Sequence, residues 1–408
     1  MRRRPGLLQW QRLFCLLVAM NDPTPAVAPQ LSRMDDERLD LSSFLRTMAT
    51  KKASDMFVTV GAPVMIKING VLEPLTKGLQ PVTVRELVTG VMTPAQKEEF
   101  EKTHECNFAI SLSGVGRFRV SAFYQRNQVG MVIRRIETNI PSMEELGLPK
   151  VLETLAMVKR GIVLMVGATG TGKSTTLASM IGYRNKHSSG HIITIEDPIE
   201  FVHKHVGCVV TQREVGIDTD SWDNALKNTL RQAPDVIMIG EVRTKEGMEY
   251  AINFAETGHL VLCTLHANNA NQAIERILNF FPDERKKQLL MDLSLNLRGI
   301  VAQQLVPSKK GGRKGILEIL VGEGYIQDLI RDGKIHEIKE QMKQGKDRGM
   351  QTFDMALVQA YHAGEISYDD ALRYADSQNE VRLAIKLAAG VSAGDSDLGS
   401  LEIVGDRR

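Results

Sequence analysis

Gly167-Ala-Thr-Gly-Thr-Gly-Lys-Ser174 follows directly on the apolar run Ile162 to Val166. The stretch fits G-x-x-x-x-G-K-[ST] in a strand–loop–helix context, the pattern of a phosphate-binding loop. Glycines at 167, 170 and 172 let the backbone turn tightly enough to aim several N–H groups inward. The helix opening at Lys173 adds the positive end of its dipole. A nucleoside triphosphate fits such a loop: Lys173 would reach the β and γ phosphates, and the Ser174 hydroxyl would ligate Mg²⁺. Gly167, Ala168, Thr169, Gly170, Thr171, Gly172, Lys173, Ser174 and Thr175 are therefore the candidate contacts for ATP. The competing reading is a glycine turn between strand and helix, which leaves the Lys-Ser pair without a reason.

Beyond the loop, apolar runs at Ile192 to Ile195, Val236 to Ile239 and Leu260 to Cys263 alternate with helical stretches. That alternation predicts an α/β domain with a parallel sheet covered on both faces. Ser221 is placed to cap a helix carrying Trp222, Ala225, Leu226 and Leu230 on one side, with Pro234 ending it. In an open parallel sheet, ligands bind at the carboxyl ends of the strands. Each of these runs delivers reactive groups there: Glu196-Asp-Pro-Ile-Glu200, then Gly240-Glu241-Val-Arg243, then Thr264-Leu-His266, with His259 at the start of the last run.

Glu241 is the candidate for orienting and deprotonating an attacking water, since a carboxylate just past a buried strand is rigidly placed; the alternative is a surface carboxylate at a strand end. Gly240 stands where an acid often precedes such a glutamate, and Asp235 lies at the wrong end of its strand to replace it. Glu196, Asp197 and Glu200 suit Mg²⁺, water or intersubunit roles, with Glu200 and Asp197 preferred, or they are a loop feature. His266 is a candidate γ-phosphate sensor, although a lone histidine near a strand is more often a core or surface residue. His104, His187, His191, His203, His205, His336 and His362 show no metal-ligand spacing.

The first third reads differently. A helix over Leu41 to Lys51 precedes β-like runs at Met56 to Val60 and Met65 to Ile68, and Asn69-Gly70 supplies a type I′ turn into Val71. A helical stretch from Val82 to Thr103 comes next. Strands then recur at Asn107 to Leu112, Arg117 to Phe123 and Gly130 to Ile136. Period-two alternation sets Phe118, Val120 and Ala122 on one face and Arg117, Arg119 and Ser121 on the other. Residues 137–148, with Pro141 and Gly147, read as a linker. Late in the chain, Leu289, Leu293, Leu297 and Val301 at i, i+4 spacing predict a helix from Glu284 to Gln304. A strand at Gly315 to Leu320 and helical segments to Ala388 follow, and residues 388–408 read as a flexible tail.

The 408 residues carry a net charge of +2 with basic residues dispersed, which disfavours nucleic acid as a partner. Four widely spaced cysteines, at 15, 106, 208 and 263, suggest neither a disulfide framework nor a zinc site. Reduced thiols in the cytoplasm fit best. Met1-Arg-Arg-Arg and Leu13 to Met20 imitate a secretory signal, but the apolar run is short and lacks a small-x-small cleavage site. Residues 1–37 are expected to be a disordered or mis-assigned extension, with the true start at Met20 or Met34. No run approaches a membrane span.

Four boxes taken together, Gly167 to Ser174, Ile195 to Glu200, Asp235 to Arg243 and Gly258 to His266, resemble the secretion ATPase superfamily of type II secretion and type IV pili. They correspond to its Walker A, Asp, Walker B and His boxes. The likeness extends through Gly116 to Phe123, Gln232 to Asp235 and Ala302-Gln-Gln-Leu305, roughly residues 40 to 387. Within the superfamily it is strongest to the PilT/PilU family of pilus retraction ATPases, with Arg117 to Asn127 and Val129 to Val132 more PilU-like.

The resemblance implies a PAS-like α+β domain over 38–136, a RecA-like P-loop ATPase domain over 149–387 with a helical C-terminal part, and a homohexameric ring. It also implies a PilT-type partner ATPase, a PilC-like inner-membrane platform protein and a cytoplasmic place at the pilus base. By motif position Glu241 is the catalytic glutamate, Glu200 the Asp-box acid, and His259 and His266 the His-box pair. Arg119 and Arg134 match arginines that contact nucleotide phosphates across subunits, and Arg276 matches a basic residue near the ring interface. The tetracysteine zinc subdomain usual in assembly and secretion members is absent, which favours the retraction type. Where PilT carries Ala-Ile-Arg-Asn-Leu-Ile, this chain has Tyr325-Ile-Gln-Asp-Leu-Ile330. Three functions compete: an ATP-hydrolysing hexameric motor for pilus retraction, an ATP-binding regulatory subunit with dispensable catalysis, and a nucleic-acid translocase on the same core, which would need a basic stripe or aromatic platform.

Overall fold

The computed structural model describes residues 39–388. The expectations for residues 1–38, Cys15 and the C-terminal tail lie outside the described residues. Among those described, the strands form two sheets.

The first sheet contains β1 (Asp55–Thr59), β2 (Met65–Ile68), β3 (Val71–Pro74), β4 (Glu105–Leu112), β5 (Gly116–Gln125) and β6 (Gln128–Arg135) in the order β3-β2-β1-β6-β5-β4, and its pairs are antiparallel. Asn69 and Gly70 both take positive φ, 51° and 87°, as the β2–β3 turn requires. The alternation along β5 holds: Phe118, Val120 and Ala122 are buried, while Arg117, Arg119 and Ser121 are half-buried on the other face. Helices α1 (Leu41–Thr50), α2 (Pro81–Thr89) and α3 (Pro94–Thr103) accompany this sheet. The helical stretch expected over Val82 to Thr103 consists of two helices. Thr93 caps α3 in a reciprocal capping box with Gln96, and Pro94 opens it, so the chain must leave helical geometry just before.

The second sheet contains β7 (Gly161–Val166), β8 (Gly190–Glu196), β9 (Cys208–Glu214), β10 (Val236–Ile239), β11 (Leu260–Leu265), β12 (Leu297–Pro307) and β13 (Arg313–Val321), in the order β13-β12-β7-β11-β10-β8-β9. Its pairs are parallel except β12–β13, which is antiparallel. Every residue of β7, β10 and β11 is buried, because helices cover both faces. Flanking it are α4 (Val151–Met157), α5 (Lys173–His187), α6 (Trp222–Thr229), α7 (Lys245–Glu256), α8 (Ala270–Asn279) and α9 (Asp283–Asn296). Beyond the hairpin come α10 (Tyr325–Arg331), α11 (Ile338–Gln344), α12 (Phe353–His362), α13 (Tyr368–Arg373) and α14 (Gln378–Ala388). Ser221 accepts from the Asn224 N–H and caps α6, which ends at Thr229 and continues only as a 3₁₀ turn to Gln232.

One expected helix is corrected and one strand had gone unread. The helix expected from Glu284 to Gln304 ends at Asn296, and Leu297 begins β12, which pairs with both β7 and β13. A spacing of four is a multiple of two, so Leu297 and Val301 satisfy strand and helix alike, and Gly299 with β-branched Ile300 and Val301 tips the balance to strand. Strand β9 was not legible, since Val209 is exposed and Thr211 to Glu214 are polar.

Within residues 137–148, Met143 is buried in the core of the second sheet, and Glu137 pairs with Phe201 in an isolated bridge. The segment expected to be a linker is thus packed at both ends. Ile300 lies at the centre of β12 and is fully buried. Ile300→Ala should cost about 2–5 kcal/mol in chemical denaturation; a loss under about 1 kcal/mol would mean the strand is not part of the core.

Candidate functional site

The carboxyl edge of the second sheet gathers the predicted groups around one cavity of about 310 Å³. Thr169, Gly170, Lys173 and Ser174 form one wall, Asp197, Pro198 and Glu200 another, and Glu241, Thr264 and His266 a third. Each wall leaves the end of a different strand, so strand pairing sets where the three walls stand relative to one another.

The phosphate-binding loop is built as its glycines require. Gly167, Gly170 and Gly172 have φ of 147°, 78° and 88°, and a side chain on Gly167 would meet the Gln303 carbonyl oxygen at 2.5 Å. Gln303 is a residue sequence reading missed. It sits on β12 directly beneath the loop, is buried, and accepts a hydrogen bond from Thr176 Oγ1 at 2.8 Å. Lys173 Nζ donates to the carbonyls of Gly167 and Ala168 at 2.7 and 2.8 Å. Burial lowers the Lys173 pKa, against the pull of the Glu241 and Glu200 carboxylates, which favours keeping the cation.

Glu241 is mostly buried and held from two sides: Arg243 Nη2 lies 2.7 Å from Oε2 and His266 Nε2 lies 3.1 Å from Oε1. An aligned carboxylate with an adjacent imidazole can accept a proton from a water and pass it on. Gly240 has a physical reason too. A Cβ there would stand 3.1 Å from the Ile195 carbonyl oxygen and 3.2 Å from Glu196 Cα, so an acid does not fit without displacing β8. Asp235 is at the opposite edge, as expected, where its carboxylate accepts the His191 N–H. The residues present fit a nucleoside triphosphate with Mg²⁺. The Ser174 hydroxyl and the Asp197 and Glu200 carboxylates are oxygen donors of the type a hard cation takes.

Other expected residues are not brought to this cavity. His259 stands at the amino edge, its ring near the Phe254 carbonyl and the Thr257 hydroxyl, with the length of β11 between it and His266. Of the two histidines expected together, His266 lines the cavity and His259 does not. Arg119 and Arg134 face each other in register across β5 and β6 on the first sheet, and neither lines the cavity. Arg134 is exposed and bonded to Asp55 at 2.8 Å. Arg276 lines a neighbouring cavity of about 550 Å³ that shares Gly167, Ala168 and His266 with the loop region.

Two further titratable residues stand in the cavity wall, Glu196, which the sequence reading ranked below Glu200 and Asp197, and His203, which it gave no role. Burial raises the Glu196 pKa to about 7, opposed by hydrogen bonds from Thr194 Oγ1 at 2.7 Å and Gln212 Nε2 at 3.1 Å. Burial lowers that of His203 to about 4. No signal short of the fold itself marks which of several acids the sheet will bury.

Residues 37–373 match the family model described as type II/IV secretion system protein. The chain belongs to the type II/IV secretion system protein family. It is 62% identical over 361 residues to the type IV pilus ATPase PilU of Pseudomonas aeruginosa, covering 88% of this chain and 94% of that protein. To PilT of the same organism, a type IV pilus retraction ATPase, it is 40% identical over 82% of this chain and 97% of the relative. Among solved structures, the pilus retraction motor PilT with bound ADP superposes with a TM-score of 0.79 at 39% identity, covering 85% of this chain and 99% of that one. The Legionella pneumophila ATPase DotB follows at 0.67 and 26% identity, over 83% and 97% of the two chains.

The folded pKa of Glu196 lies above its ordinary 4.5, so the folded state binds the extra proton and stability falls as pH rises from about 4.5 to about 7. His203, lowered from 6.5 to about 4, acts in the opposite sense below 6.5. Glu196→Gln removes only the first effect. Its melting temperature relative to the parent protein should therefore rise between pH 5 and pH 8, by the equivalent of up to about 3 kcal/mol; a flat difference would place Glu196 in water.

Proposed function

We propose that the protein is an ATPase of the type IV pilus machinery, hydrolysing ATP in a homohexameric ring to drive pilus retraction and twitching motility together with a PilT-type partner. The observation that carries this reading is the convergence of Lys173, Ser174, Glu200, Glu241 and His266, from separate strands, on one cavity at the sheet edge. Similarity to a pilus ATPase and to a retraction motor holding ADP supports it. On this reading residues 149–387 are a RecA-like ATPase domain and 38–136 a PAS-like domain, joined through 137–148.

In the mechanism, the amides of Gly167 to Thr175 and the Lys173 ammonium hold the phosphate chain of ATP. Ser174, with Asp197 and Glu200 nearby, would hold Mg²⁺, which supplies charge neutralisation at the β and γ oxygens. Glu241 aligns a water on the γ phosphorus and accepts its proton at the carboxylate. Arg243 holds that carboxylate in place from one side, and His266 responds to the γ phosphate while tied to Glu241. Arg119 and Arg134, remote from the cavity of their own chain, act on a neighbour's nucleotide. Among the described residues no helix is long and apolar enough to cross a membrane. A cytoplasmic place against a PilC-like platform protein, with no nucleic acid, completes the proposal.

Dependence on a partner has its own support in α10. Ile326, Leu329 and Ile330, the positions shared with the PilT motif, are buried, whereas the altered Tyr325, Gln327 and Asp328 are all accessible. Sequence change confined to an accessible face alters what the helix meets and leaves its packing intact.

Lys173→Ala should abolish turnover and weaken ATP binding, whereas Glu241→Gln should retain bound ATP with turnover reduced about 10²–10⁴-fold. Steady-state phosphate release and fluorescent-ATP titration check both. An unmodified protein that binds ATP without turnover would favour the regulatory reading. The neighbour role of the arginines is read by mixing: rings co-assembled from Arg134→Ala and Glu241→Gln subunits, each inactive alone, should recover activity. No recovery in rings verified as mixed would place Arg134 outside the shared site.

A further inference from the structure

Arg117 is the arginine on β5 with no role in the function proposed above, and its surroundings are unusual. Its guanidinium Nη2 lies 3.8 Å from Glu214 Oε2 and 3.9 Å from Asp218 Oδ2, and its Nε is buried without a hydrogen-bond partner. Glu214 is buried at the end of β9, paired in register with Glu196. The same Oε2 accepts the Ile199 N–H at 3.4 Å, in the middle of the loop whose Asp197, Pro198 and Glu200 line the nucleotide cavity. Burial pushes the Glu214 carboxyl up, the Ile199 N–H, Arg117 and Arg119 pull it down, and Asp218 adds to the upward push. The Asp218 carboxylate is itself occupied by the Glu214 N–H at 2.9 Å.

A second connection runs through the backbone. The Ile136 N–H donates to the Arg117 carbonyl at 3.0 Å, and the next residue, Glu137, accepts the Val202 N–H at 3.1 Å and bridges Phe201. Arg135 Nη2 pairs with the Glu137 side chain at 3.0 Å. The loop from Asp197 to Val202 is therefore held at two points that the first sheet reaches, at Ile199 by Glu214 of β9, which Arg117 of β5 approaches, and at Val202 by Glu137, just past β6.

We propose that Arg117 is a positioning residue: through Glu214 it sets the acidic loop Asp197–Glu200 against the phosphate site, so that the orientation of the first sheet controls hydrolysis within the same chain. The inference rests on the ATPase reading only for its kinetic consequence. Moving Arg117 away leaves a buried carboxylate without its cation, and burying an uncompensated charge is unfavourable enough to displace the group that carries it. The displaced group is the acceptor of the Ile199 amide, so the loop shifts with it.

The test uses the full chain with Arg117→Gln, Glu214→Gln and the double variant. Arg117→Gln should lower kcat at least tenfold with the KM for ATP within about twofold, since the loop acts on the reacting phosphate rather than on ATP capture. Glu214→Gln, which keeps an acceptor for Ile199, should do the same, and the double variant should be no worse than either single one, as expected for residues acting in series. Amide hydrogen exchange across 197–202 should speed up about tenfold in Arg117→Gln and stay unchanged in β7 and β11. Arg117→Lys, which restores the charge, should recover much of both. Unchanged exchange at 197–202, a normal kcat in Arg117→Gln, or multiplicative losses in the double variant would each overturn the proposal. If the unsubstituted protein does not hydrolyse ATP, the function reading fails, and the exchange measurement still decides whether Arg117 positions the loop.

Discussion

The tight contact between the phosphate-binding loop and β12 is the constraint on which the rest depends. Gly167 is pressed against the Gln303 backbone and Gly172 against its side chain, so both the left-handed turn and the close approach demand residues without a Cβ. The contact requires β12 to lie beside β7, and the parallel pairing of the two supplies that register. From there the sheet order follows outward: β11 and β10 bring His266 and Glu241, and β8 brings the acidic loop. A buried parallel sheet lends its rigidity to whatever leaves its carboxyl edge, which is why four short stretches of sequence become one site.

The electrostatics of that edge are arranged by burial as much as by pairing. Glu241 keeps two cationic or hydrogen-bonding neighbours, while Glu196, only two positions beyond Thr194, is desolvated and holds its proton to about 7. Acids close together in the cavity wall thus stand in different surroundings, one desolvated and the other paired. Gly240 belongs to the same close packing: a Cβ there would press on the Ile195 carbonyl oxygen and on Glu196 Cα, so any side chain requires β8 to give way slightly.

Much of this was legible in the sequence, for reasons that differ by residue. The loop could be read because its chemistry needs a fixed order of residue types, and β7, β10 and β11 because burial on both faces writes an unbroken apolar run. The alternation Phe118, Val120, Ala122 was legible because one face of β5 meets the core and the other does not. Strand β12 was hidden by an apolar spacing that suits two periods, and β9 by an exposed, polar composition. His259 shows the limit of motif reading: seven residues from His266 in sequence, it is carried to the far edge by a strand. Arg117 and Glu214 were invisible as a pair, since they stand 97 positions apart in the chain (214 − 117) and only the fold brings them together.

The junction at Glu137 and Phe201 has a mechanical meaning. Strand β6 ends two residues before it, having run eight residues from the β5–β6 hairpin at Arg126 and Asn127. At ~3.3 Å per residue that is an arm of about 26 Å. A rotation of about 10° at the junction, within reach of small changes in a few backbone torsions, sweeps the hairpin tip through roughly 5 Å, while the loop beside the fulcrum travels well under 1 Å. Such a lever converts the short movements available to groups around a phosphate into displacements comparable with one turn of a helix, and by reciprocity a load on the tip is felt at the loop as a multiplied force.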